Sequence, residues 1–164
     1  YIVWLIAALM NAIPVAAATS LFAEGSHNEE RLYTNARQVF KFTAVLLLPV
    51  VALVLLIGDR ALMLFGELYA ENATGLLRLL SLATLPLAFN VISLGKWKVE
   101  KNLKMIAALG LVVGIISLVL TWGLSGHIGL LGPGVAWLVG QTVGACALSS
   151  VAWIKKPTYP SLQD

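Results

Sequence analysis

The chain has 164 residues, 59% hydrophobic and 12% charged, with a net charge of +3 and a mean hydropathy of +0.88. A water-soluble domain of this size cannot hide so much apolar surface behind so few charges. The cations fall in alternate gaps between apolar runs, so topology and lipid headgroups account for them and a nucleic-acid surface is not expected.

Five apolar runs are expected to span a bilayer, over residues 1–22, 39–57, 76–94, 105–124 and 130–154. At about 1.5 Å per residue, some 20 helical residues cross a hydrocarbon core of about 30 Å. The runs are continuous and do not alternate, which excludes a β-barrel. The fold class is therefore an all-α polytopic membrane protein.

The first run holds Asn11 and Pro14 and begins at Tyr1 with no charged leader or small-residue cleavage pattern. The chain reads as the C-terminal part of a longer protein. The gap 24–41 carries Arg31, Arg37 and Lys41, with Leu32, Ala36, Val39 and Phe40 on one helical face. That pattern predicts a short helix lying in the membrane interface. After the second run, residues 58–75 balance Arg60 against Asp59, Glu67 and Glu71. Within this gap, Leu62, Met63, Leu64, Phe65 and Tyr69 are expected near headgroup depth.

Lys96, Lys98, Lys101 and Lys104 follow the third run, whereas the gap at 123–133 has no Lys or Arg. The tail opens with Lys155 and Lys156, and 157–164 is a short polar stretch. Positive charge beside span ends stays in the cytoplasm, which predicts Tyr1 outside and Asp164 inside. The spans and their connections form one helical unit over 1–156.

Three spans contain a proline, at Pro14, Pro49 and Pro86. Each removes a backbone hydrogen bond and frees a carbonyl, so bent helices lining a cavity stand beside the plain enrichment of proline in membrane helices. Asn11, Asn90 and Gln141 are the side-chain amides within the spans. They face either a wet cavity or another helix, since lipid offers them no partner. Arg78 is an intramembrane cation with two readings: it grips a phosphate from within a cavity, or it snorkels to the interface. Gly110 and Gly114 on the fourth span, and Gly140 and Gly144 on the fifth, form GxxxG patterns that predict close approach of these two helices.

No Asp or Glu falls inside the expected spans. His27 and His127 stand alone, without metal or catalytic-triad spacing, and Cys146 reads as a small packed residue. No metal, cofactor or catalytic residue is predicted. Asn72-Ala73-Thr74 fits a glycosylation sequon, a pattern frequent by chance.

A family resemblance emerges from the order of the pieces. Ile13-Pro14, Thr19-Ser20-Leu21-Phe22-Ala23-Glu24-Gly25 and Asn28-Glu29-Glu30-Arg31-Leu32 come first. Leu48-Pro49, Gly58-Asp59, Leu64-Phe65-Gly66 and Tyr69-Ala70 continue the series. The stretch from Leu76 to Ala83 with Pro86, and Gly129-Leu130-Leu131-Gly132-Pro133-Gly134, close it. The chain thereby resembles the C-terminal lobe of the multidrug/oligosaccharidyl-lipid/polysaccharide flippase superfamily, in its polysaccharide and lipopolysaccharide biosynthesis branch. Pro133 departs from the small residues usual in that last turn.

The resemblance implies five helices of a six-helix lobe, with a preceding N-terminal lobe as partner. It also implies alternating-access transport of a polyprenyl-pyrophosphate-linked oligosaccharide across a bacterial inner membrane, with membrane lipids around it. An antiporter for drugs or cations, and a membrane enzyme of glycan assembly, remain alternatives. Antiporters of this kind use embedded carboxylates, and an enzyme calls for a larger outer loop with catalytic side chains.

Overall fold

The computed structural model describes residues 1–25 and 32–154, with side chains over 1–24 and 35–147. All its regular structure is helical: α1 (Ile2–Gly25), α2 (Leu32–Met63), α3 (Glu67–Val99), α4 (Leu103–Ile128) and α5 (Leu131–Ile154). Four of them, α1 to α4, are long and apolar enough to cross a membrane. Arg31, Glu29, His27, Lys155, Lys156 and the tail 157–164 lie outside the described residues.

Their contacts set α1, α3 and α5 running one way and α2 and α4 the other, with short turns joining α2 to α3, α3 to α4 and α4 to α5. Gly66 (φ 118°) and Gly129 (φ 55°) make the α2–α3 and α4–α5 turns, in backbone conformations that suit a residue without Cβ. Asn102 caps α4 by accepting a hydrogen bond from the Met105 amide at 3.4 Å. One end of the bundle carries Lys96, Lys98, Lys101 and Lys104, and the other carries Glu67 and Glu71. These are the basic and acidic ends below.

Helix α3 is the hub. It packs on α1, α2 and α5, while α4 rests mainly on α5. Val3, Ala7, Met10, Pro14, Ala18 and Leu21 form the buried face of α1, at the three- and four-residue spacing of one helical side. Small side chains let the backbones close in. A Cβ on Gly95 would lie 2.9 Å from the Ala18 carbonyl oxygen, and one on Gly134 would lie 2.8 Å from Leu76 Cδ1. The outer surface is apolar, with Leu56, Leu118 and Trp122 all more than two-thirds exposed. Such a surface is compatible with a membrane protein and would drive aggregation in water.

Several sequence expectations change. The segment from Leu32 onward is the first turns of α2 itself, not a separate interfacial helix. Its Ala36, Val39 and Phe40 pack against Ala18, Leu21, Ile92 and Val99, so this apolar face is covered by protein. Phe40 also meets Phe89 edge-to-face at 5.6 Å. Leu62 is fully buried in a cluster with Val3, Leu77 and Leu80, covered by protein on all sides. Cys146 is exposed on α5. Finally, α2 continues through Asp59 to Met63, which puts that carboxylate inside a helix.

Candidate functional site

Helix α1 is the element with a cleft on each flank. One flank begins at the acidic end, in a cleft of about 1010 Å³. Its walls come from the start of α1, the α2–α3 turn and the first turns of α3, and include Tyr1, Trp4, Phe65, Glu67, Tyr69 and Asn72. Trp4 and Leu80 also line a deeper pocket of about 260 Å³, together with Ala8, Asn11, Val15 and Trp137. Asn11 Oδ1 is buried there without a hydrogen-bond partner. Aromatic faces beside amide and carboxylate groups offer a sugar both stacking and hydrogen bonds.

The other flank opens towards the basic end, between α1 and α2, in a cleft of about 510 Å³. One wall is apolar, from Ile13, Phe42 and Leu46. Its mouth is polar, from Ser20, Glu24, Asn35 and Gln38. Thr43 also lines it, is 1% exposed, and leaves its hydroxyl unpartnered. That is a departure within this protein: Thr19, Thr74, Thr84 and Thr142 each donate to the carbonyl four residues back, at 2.7–3.1 Å. A buried hydroxyl that forgoes this bond costs on the order of 1–3 kcal/mol until something else occupies it.

The amides singled out in the sequence separate into two kinds. Asn11 lines a cavity. Asn90 instead donates through Nδ2 to the Gln141 backbone carbonyl at 2.9 Å and to Gln141 Oε1 at 2.8 Å. Both residues are over nine-tenths buried, so this pair ties α3 to α5. Arg78 is exposed on α3 and lines neither flank of α1. The prolines do not converge: Pro14 is buried in the core face of α1, Pro49 is exposed, and Pro86 is half-buried.

The two GxxxG patterns also divide. Gly140 sits against α4, where a Cβ would collide with Ser117 Oγ, and one on Gly144 would lie 2.7 Å from Val113 Cγ2. At Gly110 and Gly114 a Cβ would meet nothing within 4 Å, so these two do not make the approach expected of them. The α4 side of the interface is built from Leu109, Val113 and Ser117 instead, one helical step round.

Sequence reasoning overlooked Trp4, Trp137, Thr43 and Asp59. One oxygen of Asp59 is buried without a partner. The aromatics had a readable signal, since Trp and Tyr at span ends mark an interface. Thr43 had none, because its difference from Thr19, Thr74, Thr84 and Thr142 lies in a missing bond. No protein-family model, curated protein or solved structure matches this chain.

Proposed function

We propose that this chain forms most of one lobe of a flippase that carries a polyprenyl-pyrophosphate-linked oligosaccharide across a bacterial plasma membrane, for cell-surface polysaccharide biosynthesis. The observation that carries the reading is the pair of clefts on opposite flanks of α1, one towards each end of the bundle, whose mainly apolar walls carry polar groups: Glu67 and Asn72 in one, Ser20, Glu24, Asn35 and Gln38 in the other. A flippase passes a hydrophilic head through while the lipid tail stays in the bilayer. That task requires polar surface reachable from both sides, and rocking helices in place of bond-breaking residues. The basic end is cytoplasmic in this reading, as is the C-terminus, because four lysines flank the α3–α4 turn. The other lobe of the transporter completes the cavity, and no cofactor or enzymatic step is involved.

Deleting the full gene should strand lipid-linked glycan in the inner leaflet, read by leaflet-selective labelling of the glycan. A copy carrying Asn11→Leu should reach the membrane at normal level and fail to restore export. Normal surface glycan in the deletion strain, with no second flippase present, would sink the proposal.

One observation favours a second reading, a cation-coupled antiporter of the same superfamily. Asp59 is a helical carboxylate with a buried, unpartnered oxygen, and embedded carboxylates are the usual carriers of coupling ions. Asp59→Asn that abolishes ion-driven drug efflux, with glycan export intact, would establish that reading over the first.

A further inference from the structure

The α1–α3 seam at the basic end holds a fourth, smaller cavity of about 180 Å³ on the same flank of α1 as Asn11. Here the parallel helices run in step, with Val15 level with Val91, Ala18 beside Gly95, and Phe22 level with Lys98. The slot is about 10 Å long, the rise of seven helical residues. Its deep part is apolar, from Val15, Val91 and Leu94. The Thr19 hydroxyl is occupied by its bond to the Val15 carbonyl at 2.8 Å, so the wall offers little to a polar ligand.

The charge at the mouth is Lys98, which is exposed, and no acidic residue lines the slot. Lys96 on the same turn is already engaged by Glu100 at 3.7 Å. Lys101 and Lys104 stand just beyond the helix end and add positive potential without touching the slot. A mainly apolar slot with an ammonium group at one end is complementary to an amphipathic anion. We propose that it is a binding site for an anionic phospholipid, with part of an acyl chain lying along the α1–α3 groove and the phosphate on Lys98. Gly95 matters because its missing Cβ lets α1 and α3 close to backbone contact beside the slot, which keeps the walls parallel. The occupant is a lipid of the surrounding leaflet, distinct from transported cargo, and the site does not depend on the flippase reading.

Native mass spectrometry of the purified chain, released from nanodiscs of mixed phosphatidylglycerol and phosphatidylcholine with matched acyl chains, tests the site. Phosphatidylglycerol should be retained preferentially. Lys98→Gln should weaken its binding about fivefold, since a lysine near an anionic surface contributes about 1 kcal/mol. Lys101→Gln removes the same charge outside the slot and should change binding less than twofold. Val91→Trp keeps Lys98 but fills the slot, and should also displace the lipid while the thermal melt stays cooperative. Equal losses for Lys98→Gln and Lys101→Gln would overturn the proposal in favour of diffuse attraction. So would absence of a headgroup preference, retention of lipid by a folded Val91→Trp, or displacement by inorganic phosphate alone.

Discussion

Helices α3 and α4 invert the usual relation between apolarity and burial. Half of the most apolar stretch of α3 is buried against other helices, compared with 11% for α4. Yet α4 is the more hydrophobic of the two. In water the greasier helix would sink to the centre. Here the centre is taken by the helix with Ala70, Ala73, Ala83, Ala88, Ser81, Thr84 and Asn90 on its buried faces. That inversion is what a bilayer would produce: hydrocarbon removes the difference between a leucine facing a neighbour and one facing solvent, and leaves packing to close backbone approach and to polar groups in need of partners. Helix α4 is apolar nearly all round because most of its surface has no protein against it.

The sharpest way to break this comparison is to place a charge on the exposed side of α4. Ile115 is 58% exposed midway along that helix. On a water-facing surface Ile115→Lys would be almost neutral, whereas at a bilayer centre it should oppose insertion by about 3 kcal/mol. A membrane-insertion assay on the variant reads the difference, and normal insertion would refute the lipid-facing assignment of α4.

Glycines give a second contrast. Gly95→Leu drives a side chain into the Ala18 carbonyl and should destabilise the fold by about 3 kcal/mol, whereas Gly110→Leu points into open space and should stay within about 0.5 kcal/mol. Unfolding in detergent micelles compares the pair; similar losses would mean that α4 is packed on a side where this chain shows nothing.

Leucine truncation should follow the same division with smaller effect. Leu77 on α3 is 1% exposed and Leu118 on α4 is 72% exposed. Leu77→Ala leaves a cavity and should cost about 2 kcal/mol, and Leu118→Ala less than about 0.5 kcal/mol, in the same unfolding measurement. The smallest effect is expected at the polar tie. A double-mutant cycle of Asn90→Leu and Gln141→Leu should return a coupling of about 1 kcal/mol. Zero coupling would reduce the pair to a packing contact.

Much of the helical layout was legible in the residues. Apolar runs and the charged gaps between them locate helices because a backbone in hydrocarbon must bond to itself. What they did not locate was how far each helix continues. The second and third runs were read as 39–57 and 76–94, yet α2 and α3 reach Leu32–Met63 and Glu67–Val99. Hydropathy stops at the edge of the apolar run, but the helix goes on wherever its mixed face finds protein to cover it. The α2 residues Ala36, Val39 and Phe40 do so against α1 and α3, and at its other end α2 continues to Met63, which carries Asp59 into a helix.

The candidate site was less legible, for a related reason. Asn11, Asn90 and Gln141 present identical chemistry in the sequence. Asn90 and Gln141 are 51 positions apart and are tied through Asn90 Nδ2, although Asn90 Oδ1 stays unpartnered, while Asn11 lines a cavity with its Oδ1 unpartnered. Gly110 and Gly140 begin the same motif, and one is exposed while the other is locked on Ser117. Composition, span order and charge alternation follow from the sequence alone, because each depends on how single residues partition between water and hydrocarbon. Whether an amide lines a cavity or closes a seam, and which side of a helix faces open space, depends on what a second helix presents a few ångströms away. Only the tertiary structure decided that, since lipid imposes no preference among apolar faces and leaves the choice to packing.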